Sequence, residues 1–301
     1  MAAEKIIIVL GSTNTDMVIS GKRIPAPGET VSGGKFLMNP GGKGANQAVA
    51  VARLAKDAQC VFIAKVGDDL FGRDSAVRLA KDGIDVHLIV DPQEPSGTAL
   101  ILVDENGQNC ISVALGANGT LSPADIQPVL TQFPQASALL MQLETPLETV
   151  LQAARTAKAN GIPVILNPAP ARELPPELYA CLDWITPNES EAEQLTGIAV
   201  IDEASAAQAT AILQARGVKH VLITMGVKGC WCGDTQKLYP CQKVKAVDCV
   251  AAGDTFNGAF VVALSEGMAC EDAVEFAQKA SAISVTRPGA QASVPYRREI
   301  L

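Results

Sequence analysis

The stretch A-L-L-M-Q-L-E-T-P-L-E-T-V-L-Q-A-A-R-T-A-K-A-N-G-I-P-V-I-L-N, residues 138–167, decides the fold. It begins with a short apolar run, continues through an Ala-rich segment with a helical pattern, and ends in a second apolar run. Parallel strands read as continuous apolar runs because helices cover both faces of their sheet, and each crossover needs a helix-length connection. The stretch therefore predicts one strand–helix–strand unit of a parallel sheet.

The same alternation continues along most of the 301-residue chain. Ala-rich helical segments, such as residues 45–56, separate further short apolar runs. The pattern predicts an α/β fold, a doubly wound and mostly parallel sheet flanked by helices, in which ligands bind at the carboxyl ends of the strands. Predicted strands begin at Ile6, Cys60, Ala138, Pro163, Asp183 and His220.

Two segments break this alternation. Residues 17–41 are too rich in Gly and Pro for a helix, and the segment from 97 to 113 carries a hairpin signal in which Asn106-Gly107 fits a type I′ turn. Together they predict a small β-sheet that forms a lid outside the main domain. The predicted division is an α/β core of residues 1–16, 42–96 and 114–301 and a β-lid of residues 17–41 and 97–113.

Composition narrows the class of protein. The net charge is −8 and the chain has no basic stripe, which argues against nucleic acid and anionic membranes as partners. No apolar stretch reaches membrane-spanning length, and the N-terminal apolar run is too short for a signal peptide, so we expect a cytoplasmic protein. Eight scattered cysteines and two histidines argue against structural zinc, and C-W-C at 230–232 is interpreted as packing.

The stretch V-A-A-G-D-T-F-N-G-A-F, residues 250–260, places an aspartate where a helix should begin. Asp254 could serve simply as the helix cap. The small residues Ala251, Ala252 and Gly253 also leave backbone N–H groups accessible at that helix start, where an anion would be stabilised. Both interpretations stay open on these residues alone.

Two further motifs combine glycines with polar side chains. In N-P-G-G-K-G-A-N-Q-A, residues 39–48, Lys43 and Asn46 offer donors suited to hydroxyl groups, although a flexible turn with a solvated lysine is the alternative. In G-S-T-N-T-D, residues 11–16, Asn14 and Asp16 follow the first strand. They indicate either a binding site at the strand end or an Asx turn.

Two motifs in the second half of the chain have similar alternatives. In T-P-N-E-S-E-A-E, residues 186–193, Asn188 and Glu191 lie one helical turn apart. They are either ligand-binding groups or the acidic start of a helix that faces solvent. T-M-G-V-K-G, residues 224–229, is a Gly-rich turn that follows a strand, or a hairpin.

In this order, these motifs closely resemble the ribokinase-like family of carbohydrate kinases. The resemblance runs from about Gly11 to Pro295 and includes P-A-P-G-E-T-V from residue 25, L-N-P-A-P-A-R-E-L-P from 166 and T-R-P-G-A-Q-A-S-V-P from 286. It implies ATP-dependent phosphorylation of the 5-hydroxyl of D-ribose, with Mg²⁺, an activating K⁺ and a homodimer formed through the lid. A kinase for deoxyribose, fructose or a nucleoside is the alternative within the family, and a sugar-binding regulator without catalysis is the alternative outside enzymes.

The resemblance also implies a role for individual residues. The catalytic base would be Asp254, and the backbone N–H groups of Ala251, Ala252, Gly253 and Asp254 would form an anion hole for the transferred phosphoryl group, so that a helix cap would also serve as a base. The sugar would be held by Asn14, Asp16, Gly42, Lys43, Asn46, Glu144 and Asp254. ATP would contact Asn188, Thr224, Gly226, Gly229, Gly253 and Gln278. Mg²⁺ would be bound through water and phosphate by Asn188 and Glu191. K⁺ would be bound at Asp248, Val250, Ser284, Arg287, Gly289 and Ser293, largely by backbone carbonyls.

Overall fold

The computed structural model describes residues 5–300. Within them the strands are β1 (Lys5–Leu10), β2 (Asn14–Ser20), β3 (Lys35–Gly41), β4 (Ala58–Gly67), β5 (Asp85–Asp91), β6 (Gly97–Val103), β7 (Asn109–Ala114), β8 (Ala138–Met141), β9 (Val164–Leu166), β10 (Trp184–Ile185), β11 (His220–Thr224), β12 (Cys230–Cys232) and β13 (Lys237–Tyr239). The helices are α1 (Lys43–Leu54), α2 (Leu70–Lys81), α3 (Pro123–Leu130), α4 (Leu147–Ala159), α5 (Pro176–Tyr179), α6 (Glu189–Thr196), α7 (Glu203–Ala215), α8 (Ala252–Ser265) and α9 (Cys270–Ser284).

The main sheet has nine strands within the described range, in the order β13-β12-β11-β10-β9-β8-β1-β4-β5. All neighbouring strands from β11 through β10, β9, β8, β1 and β4 to β5 pair in parallel. Strand β12 pairs antiparallel with both β11 and β13. The sheet is therefore mostly parallel, as the alternating pattern predicts. The parallel arrangement brings the carboxyl ends of the central strands to one edge.

Helices cover both faces of this sheet. Along β1, Ile7 and Val9 pack in one apolar cluster with α1, α8 and α9, while Ile8 and Leu10 pack in a second cluster with α3, α4, α6 and α7. This division follows the two-residue period of a strand, which directs successive side chains to opposite faces. The predicted doubly wound α/β fold is confirmed.

A separate four-stranded sheet has the order β3-β2-β6-β7. Its strands come from the two segments predicted to form a lid, although β2 begins at Asn14, before the predicted start of the lid. The predicted type I′ turn is wrong, because only Gly107 has a positive φ in the β6–β7 connection and Asn106 does not. The Asp104 carboxylate instead accepts the backbone N–H groups of Asn106 and Gln108 and closes a longer loop.

The predicted strands of the main sheet are all present as β1, β4, β8, β9, β10 and β11. The C-W-C stretch forms β12, where Cys230 and Cys232 are both buried against the cluster that contains α8 and α9. All eight cysteines are free thiols. Among residues 5–300, no helix is both long and apolar enough to cross a membrane.

Candidate active site

The candidate site lies at the carboxyl edge of the main sheet, where four parts of the chain meet. The loop after β1, the start of α1, Glu144 after β8 and the first turn of α8 are joined by side-chain hydrogen bonds. Such an edge is where open α/β sheets bind ligands, because the strand ends and the helix N-termini face a common crevice.

Asp254 is the third residue of α8, and its side chain does not cap the helix. The N-cap is Ala251, so the interpretation of Asp254 as a helix cap is wrong. Asp254 is buried, with 6% of the residue exposed. Its Oδ2 accepts from Asn46 Nδ2 at 2.9 Å and its Oδ1 from Gln47 Nε2 at 3.0 Å. The carboxylate is therefore held from α1 rather than by its own helix.

The backbone that leads into α8 is shaped to expose N–H groups. Ala251 adopts the left-handed conformation, with φ 59°, which an alanine adopts only at a cost. Ala252 donates its N–H to the Cys249 carbonyl at 3.3 Å, so this predicted member of the anion hole is already engaged. No acceptor within residues 5–300 takes the N–H of Gly253 or Asp254, and space is open beside the Gly253 Cα. These two donors lie at the positive end of the helix dipole.

The start of α1 is fixed by residues distant in sequence. Glu144 Oε2 accepts from Ser12 Oγ at 2.5 Å and from the Lys43 backbone N–H at 3.0 Å. Gly42 has φ 88°, and a Cβ there would lie 2.7 Å from the Thr13 Cα. Only glycine therefore allows the β3–α1 connection to approach the loop after β1 this closely.

Asn14 and Asp16 lie in β2 and not in an Asx turn, so that alternative is wrong. Asn14 Oδ1 accepts from Asn118 Nδ2 at 2.8 Å. Burial, and to a lesser degree the negative charge of Glu144, raises the pKa of Asp16 to about 6. No hydrogen bond from the described part of the chain reaches the Asp16 carboxylate, whose acceptor sites are open to a ligand's hydroxyl groups.

Lys43 lies among three carboxylates. Burial alone would lower the pKa of its ammonium group, but the charges of Asp254, Glu144 and Glu191 outweigh burial and raise it. The Lys43 ammonium group is therefore positively charged at neutral pH, within reach of the charges of all three carboxylates. Beside it, the buried Oδ1 of Asn46 has no hydrogen-bond partner in the part of the chain that the structure describes. A buried acceptor of this kind calls for a donor from a ligand.

Asn188 and Glu191, the residues predicted to contact ATP and Mg²⁺, form a capping box at the start of α6. Asn188 Oδ1 accepts the Glu191 N–H at 2.8 Å, and Glu191 Oε2 accepts the Asn188 N–H at 2.9 Å. Glu191 Oε1 keeps no partner within residues 5–300. Burial, together with the charge of Asp254, raises the pKa of Glu191 despite the opposing effects of the Asn188 N–H and of Lys43. One carboxylate and one amide at a crevice fit Mg²⁺, which retains several waters in proteins.

The Gly-rich stretch 224–229 connects β11 to β12 and is a hairpin connection. Thr224 ends β11 and forms an isolated parallel bridge with Asn188, so the two predicted nucleotide contacts are neighbours. Gly226 has φ 52° and Gly229 has φ 118°. A Cβ on Gly229 would lie 2.0 Å from the Tyr239 carbonyl oxygen, which Gln278 Nε2 also contacts at 2.7 Å.

Most of the residues predicted for K⁺ lie on two loops that are joined by Asp248, and Ser284 is the last residue of α9. Its Oδ1 accepts the Val250 N–H and its Oδ2 accepts the Gly289 N–H, each at 2.9 Å. The side chains of the other four give little to a cation: Val250 is exposed, Arg287 pairs with Glu299, and the Ser284 and Ser293 hydroxyls donate to backbone carbonyls. Backbone carbonyls and one carboxylate remain, and this oxygen donor set fits a hard cation.

Several residues of the site were not among the predicted site residues. Ser12 lies in the loop after β1, Asn118 and Asn167 contact the site from distant parts of the chain, and Gln142 donates to Gln47 Oε1 at 2.6 Å. Of these, Asn167 follows a predicted strand at the edge where ligands bind, which was a signal in the sequence. Gln47 lies inside the quoted Gly-rich motif, but nothing in the motif separates it from the surrounding helix residues. Its helical position, one residue after Asn46, was the only available signal.

Comparison with known proteins gives a consistent result over the whole chain. The family model "pfkB family carbohydrate kinase" matches residues 5–297. The chain is 47% identical to a ribokinase of Haemophilus influenzae over 99% of this chain and 97% of the relative, and 39% identical to a deoxyribokinase of Salmonella typhimurium over 96% and 95%. An Arabidopsis thaliana ribokinase solved with ribose and ATP superposes with a TM-score of 0.90 at 33% identity, covering 99% of this chain and 97% of that one.

Proposed function

This chain belongs to the pfkB family of carbohydrate kinases, and we propose that it transfers the γ-phosphoryl group of ATP to the 5-hydroxyl of D-ribose. The products are ribose 5-phosphate and ADP. One observation carries the proposal: a buried carboxylate, Asp254, is held at the N-terminus of α8 beside two backbone N–H groups that no protein acceptor takes within residues 5–300.

In the proposed reaction Asp254 is the general base. Its carboxylate accepts the proton of the 5-hydroxyl as the hydroxyl oxygen forms its bond to the γ-phosphorus and the bond to the ADP oxygen breaks. Hydrogen bonds from Asn46 and Gln47 take one acceptor site on each carboxylate oxygen and leave others open to the hydroxyl. The carboxylate thus keeps a fixed orientation and remains able to accept a proton.

The N–H groups of Gly253 and Asp254 stabilise the negative charge on the transferred phosphoryl group. They are fixed before the reaction by the helix, so they need no reorganisation when charge develops. Lys43 adds a permanent positive charge between this anion hole and the sugar. Mg²⁺, placed by Asn188 and Glu191, would neutralise charge on the ATP phosphates.

The sugar-side residues suit a neutral polyhydroxyl ligand. The Asp16 carboxylate and the Asn46 Oδ1 are hydrogen-bond acceptors, and neither has a donor within the described residues. A site that hydrogen-bonds a hydroxyl rejects the analogue lacking it, because buried polar groups are then left unpaired. We therefore propose ribose rather than 2-deoxyribose, although a deoxyribokinase is also among the relatives.

The remaining features of the proposal concern the cation, the lid and the location. K⁺ would bind between the loops that contain Asp248 and Gly289, next to the start of α8. The β-lid of residues 17–41 and 97–113 would cover the sugar as a unit separate from the core, and its outer surface would pair two copies of the chain. Eight free thiols are compatible with the reducing cytoplasm.

A sugar panel tests the proposed function. ADP release is measured with ribose, 2-deoxyribose, fructose, fructose 6-phosphate and a nucleoside, and ³¹P NMR identifies the product. We expect the highest kcat/KM with ribose and a 5-phosphate ester as product. A higher kcat/KM with deoxyribose or fructose would reassign the substrate, and no sugar-dependent ADP release with any substrate would favour a sugar-binding regulator.

A further inference from the structure

A closed ring of hydrogen bonds surrounds the carboxylate proposed as the base. Gln47 Nε2 donates to Asp254 Oδ1 at 3.0 Å and to Asn167 Oδ1 at 3.1 Å, so this one amide group connects α1, α8 and the end of β9. Gln47 is completely buried. It therefore contacts Asp254 from the protein side, and it lies away from any ligand in the crevice.

The ring continues through three further residues. Asn167 Nδ2 donates to the Thr186 carbonyl at 3.1 Å, and Thr186 Oγ1 donates to Asn257 Oδ1 at 2.5 Å. Asn257 Nδ2 then donates to the Gly253 carbonyl at 2.8 Å. Because Gly253 is bonded covalently to Asp254, the ring returns to the base. Its members come from α1, α8 and the carboxyl ends of two neighbouring strands.

Gln142 determines which end of the Gln47 amide faces the base. Its Nε2 donates to Gln47 Oε1 at 2.6 Å, so the oxygen of Gln47 is already taken and the NH₂ group is directed to Asp254. Gln142 is also completely buried. Burying these polar side chains costs free energy unless each polar atom is hydrogen-bonded, and Gln142 Oε1 has no partner within the described residues.

We propose that Gln47 is a positioning residue for phosphoryl transfer. The terminal torsion of an aspartate is broad and has two equivalent minima, so one hydrogen bond leaves the carboxylate free to swing. Gln47 on Oδ1 and Asn46 on Oδ2 together remove that freedom and aim an open acceptor site of the carboxylate at the sugar hydroxyl. Gln142 acts one step further away by orienting Gln47. The inference rests on the proposed function, because it assigns a role relative to Asp254 as the base.

The test is the variant Gln47→Met, which keeps the length of the side chain and removes both donors. We expect kcat to fall about 10- to 100-fold, the scale of a misplaced catalytic group, while KM for ribose and for ATP changes less than about threefold. The matched control is Thr149→Val, which removes a buried hydrogen bond to the Leu121 carbonyl outside the site and should leave kcat unchanged. A kcat of Gln47→Met within twofold of this control would overturn the inference.

Three further variants complete the test. Gln142→Met leaves Gln47 in place without its orienting partner, and we expect a smaller loss of kcat, which remains measurable if Gln47→Met does not fold. In the Asp254→Asn background, Gln47→Met should cause no further loss, and equal fractional losses in both backgrounds would overturn the inference. If the Asp254→Asn variant keeps its kcat, Asp254 is not the base and the proposed function fails. If Asp254→Asn loses kcat but Gln47→Met does not, only the role of Gln47 is overturned.

Discussion

Gly258 on α8 lies directly against Ala50 on α1, and a Cβ at position 258 would be 2.4 Å from the Ala50 Cβ and 2.9 Å from the Gln47 carbonyl oxygen. The two helices are therefore as close as a glycine permits. Asp254 lies one turn before Gly258 on α8. The close contact of the two helices therefore allows Asn46 and Gln47 on α1 to hydrogen-bond the Asp254 carboxylate.

Gly258→Ala is expected to separate α1 from α8 and to impair catalysis. Overpacking of this kind costs about 1–3 kcal/mol of unfolding free energy. We expect kcat to fall more than KM for ribose rises, since the base loses its partners on α1 while the β2 residues stay in place. Steady-state kinetics and thermal unfolding check this. Gly119→Ala is the control, because the nearest atom to a Cβ there is 3.4 Å away. Equal kinetics for the two variants would contradict the role of the contact.

The raised pKa of Asp16 predicts that its charged carboxylate lowers the stability of the fold at neutral pH, while the same carboxylate is needed to bind the sugar. In the folded protein the pKa is about 6, above the unfolded value of 3.8, so the folded state binds the proton more tightly and stability falls as pH rises through this window. Asp16→Asn should therefore raise the free energy of unfolding at pH 7 by on the order of 1 kcal/mol, which appears as a higher Tm. At pH 3 the substitution should change Tm little. The same variant should raise KM for ribose sharply. A lower Tm at pH 7 would show that the charge is stabilised in the folded protein.

Local sequence pattern predicted the fold better than it predicted the site. Continuous apolar runs predicted the central strands, whereas the assignment of Asp254 and Lys43 to the site came from the family resemblance, because the residues alone left a helix cap and a solvated lysine as alternatives. Strand β5 was not predicted, although its apolar run at 88–90 is as long as that of β9; most of its residues are only half-buried, and β13 has only three residues. The bond from Ser12 to Glu144 joins residues 132 positions apart, and hydrophobic periodicity does not state which distant carboxylate a buried hydroxyl will meet.

Potassium should activate the enzyme through the two loops joined by Asp248. We expect a higher kcat in KCl than in tetramethylammonium chloride at equal ionic strength, because a cation between the loops would order the start of α8. Asp248→Asn should lose most of this difference, since the amide cannot accept both the Val250 and the Gly289 N–H while also attracting a cation. Equal rates in the two salts would remove the cation site from the proposal.

The lid should hold two copies of the chain together. Strands β3 and β7 are the edges of the small sheet, and apolar side chains such as Phe36 and Ile111 are exposed on it, 61% and 53% respectively. Unpaired edges with exposed apolar residues favour association. We expect light scattering to give twice the 31.3 kDa chain mass, and Phe36→Asp to give the single-chain mass. Ile201→Asp, which charges an exposed residue outside the lid, is the control. A single-chain mass for the unaltered protein at micromolar concentration would reject the dimer.

Asp254→Asn tests the central claim most directly, with kcat measured by ADP release and ribose affinity measured by calorimetry on the same preparation. The substitution keeps the size of the side chain and removes its ability to accept the hydroxyl proton. We predict that kcat falls by roughly 10²–10⁴-fold, the usual effect of a positioned base, while ribose still binds to a folded protein. Turnover close to that of the unaltered chain would contradict the assignment of Asp254 as the base.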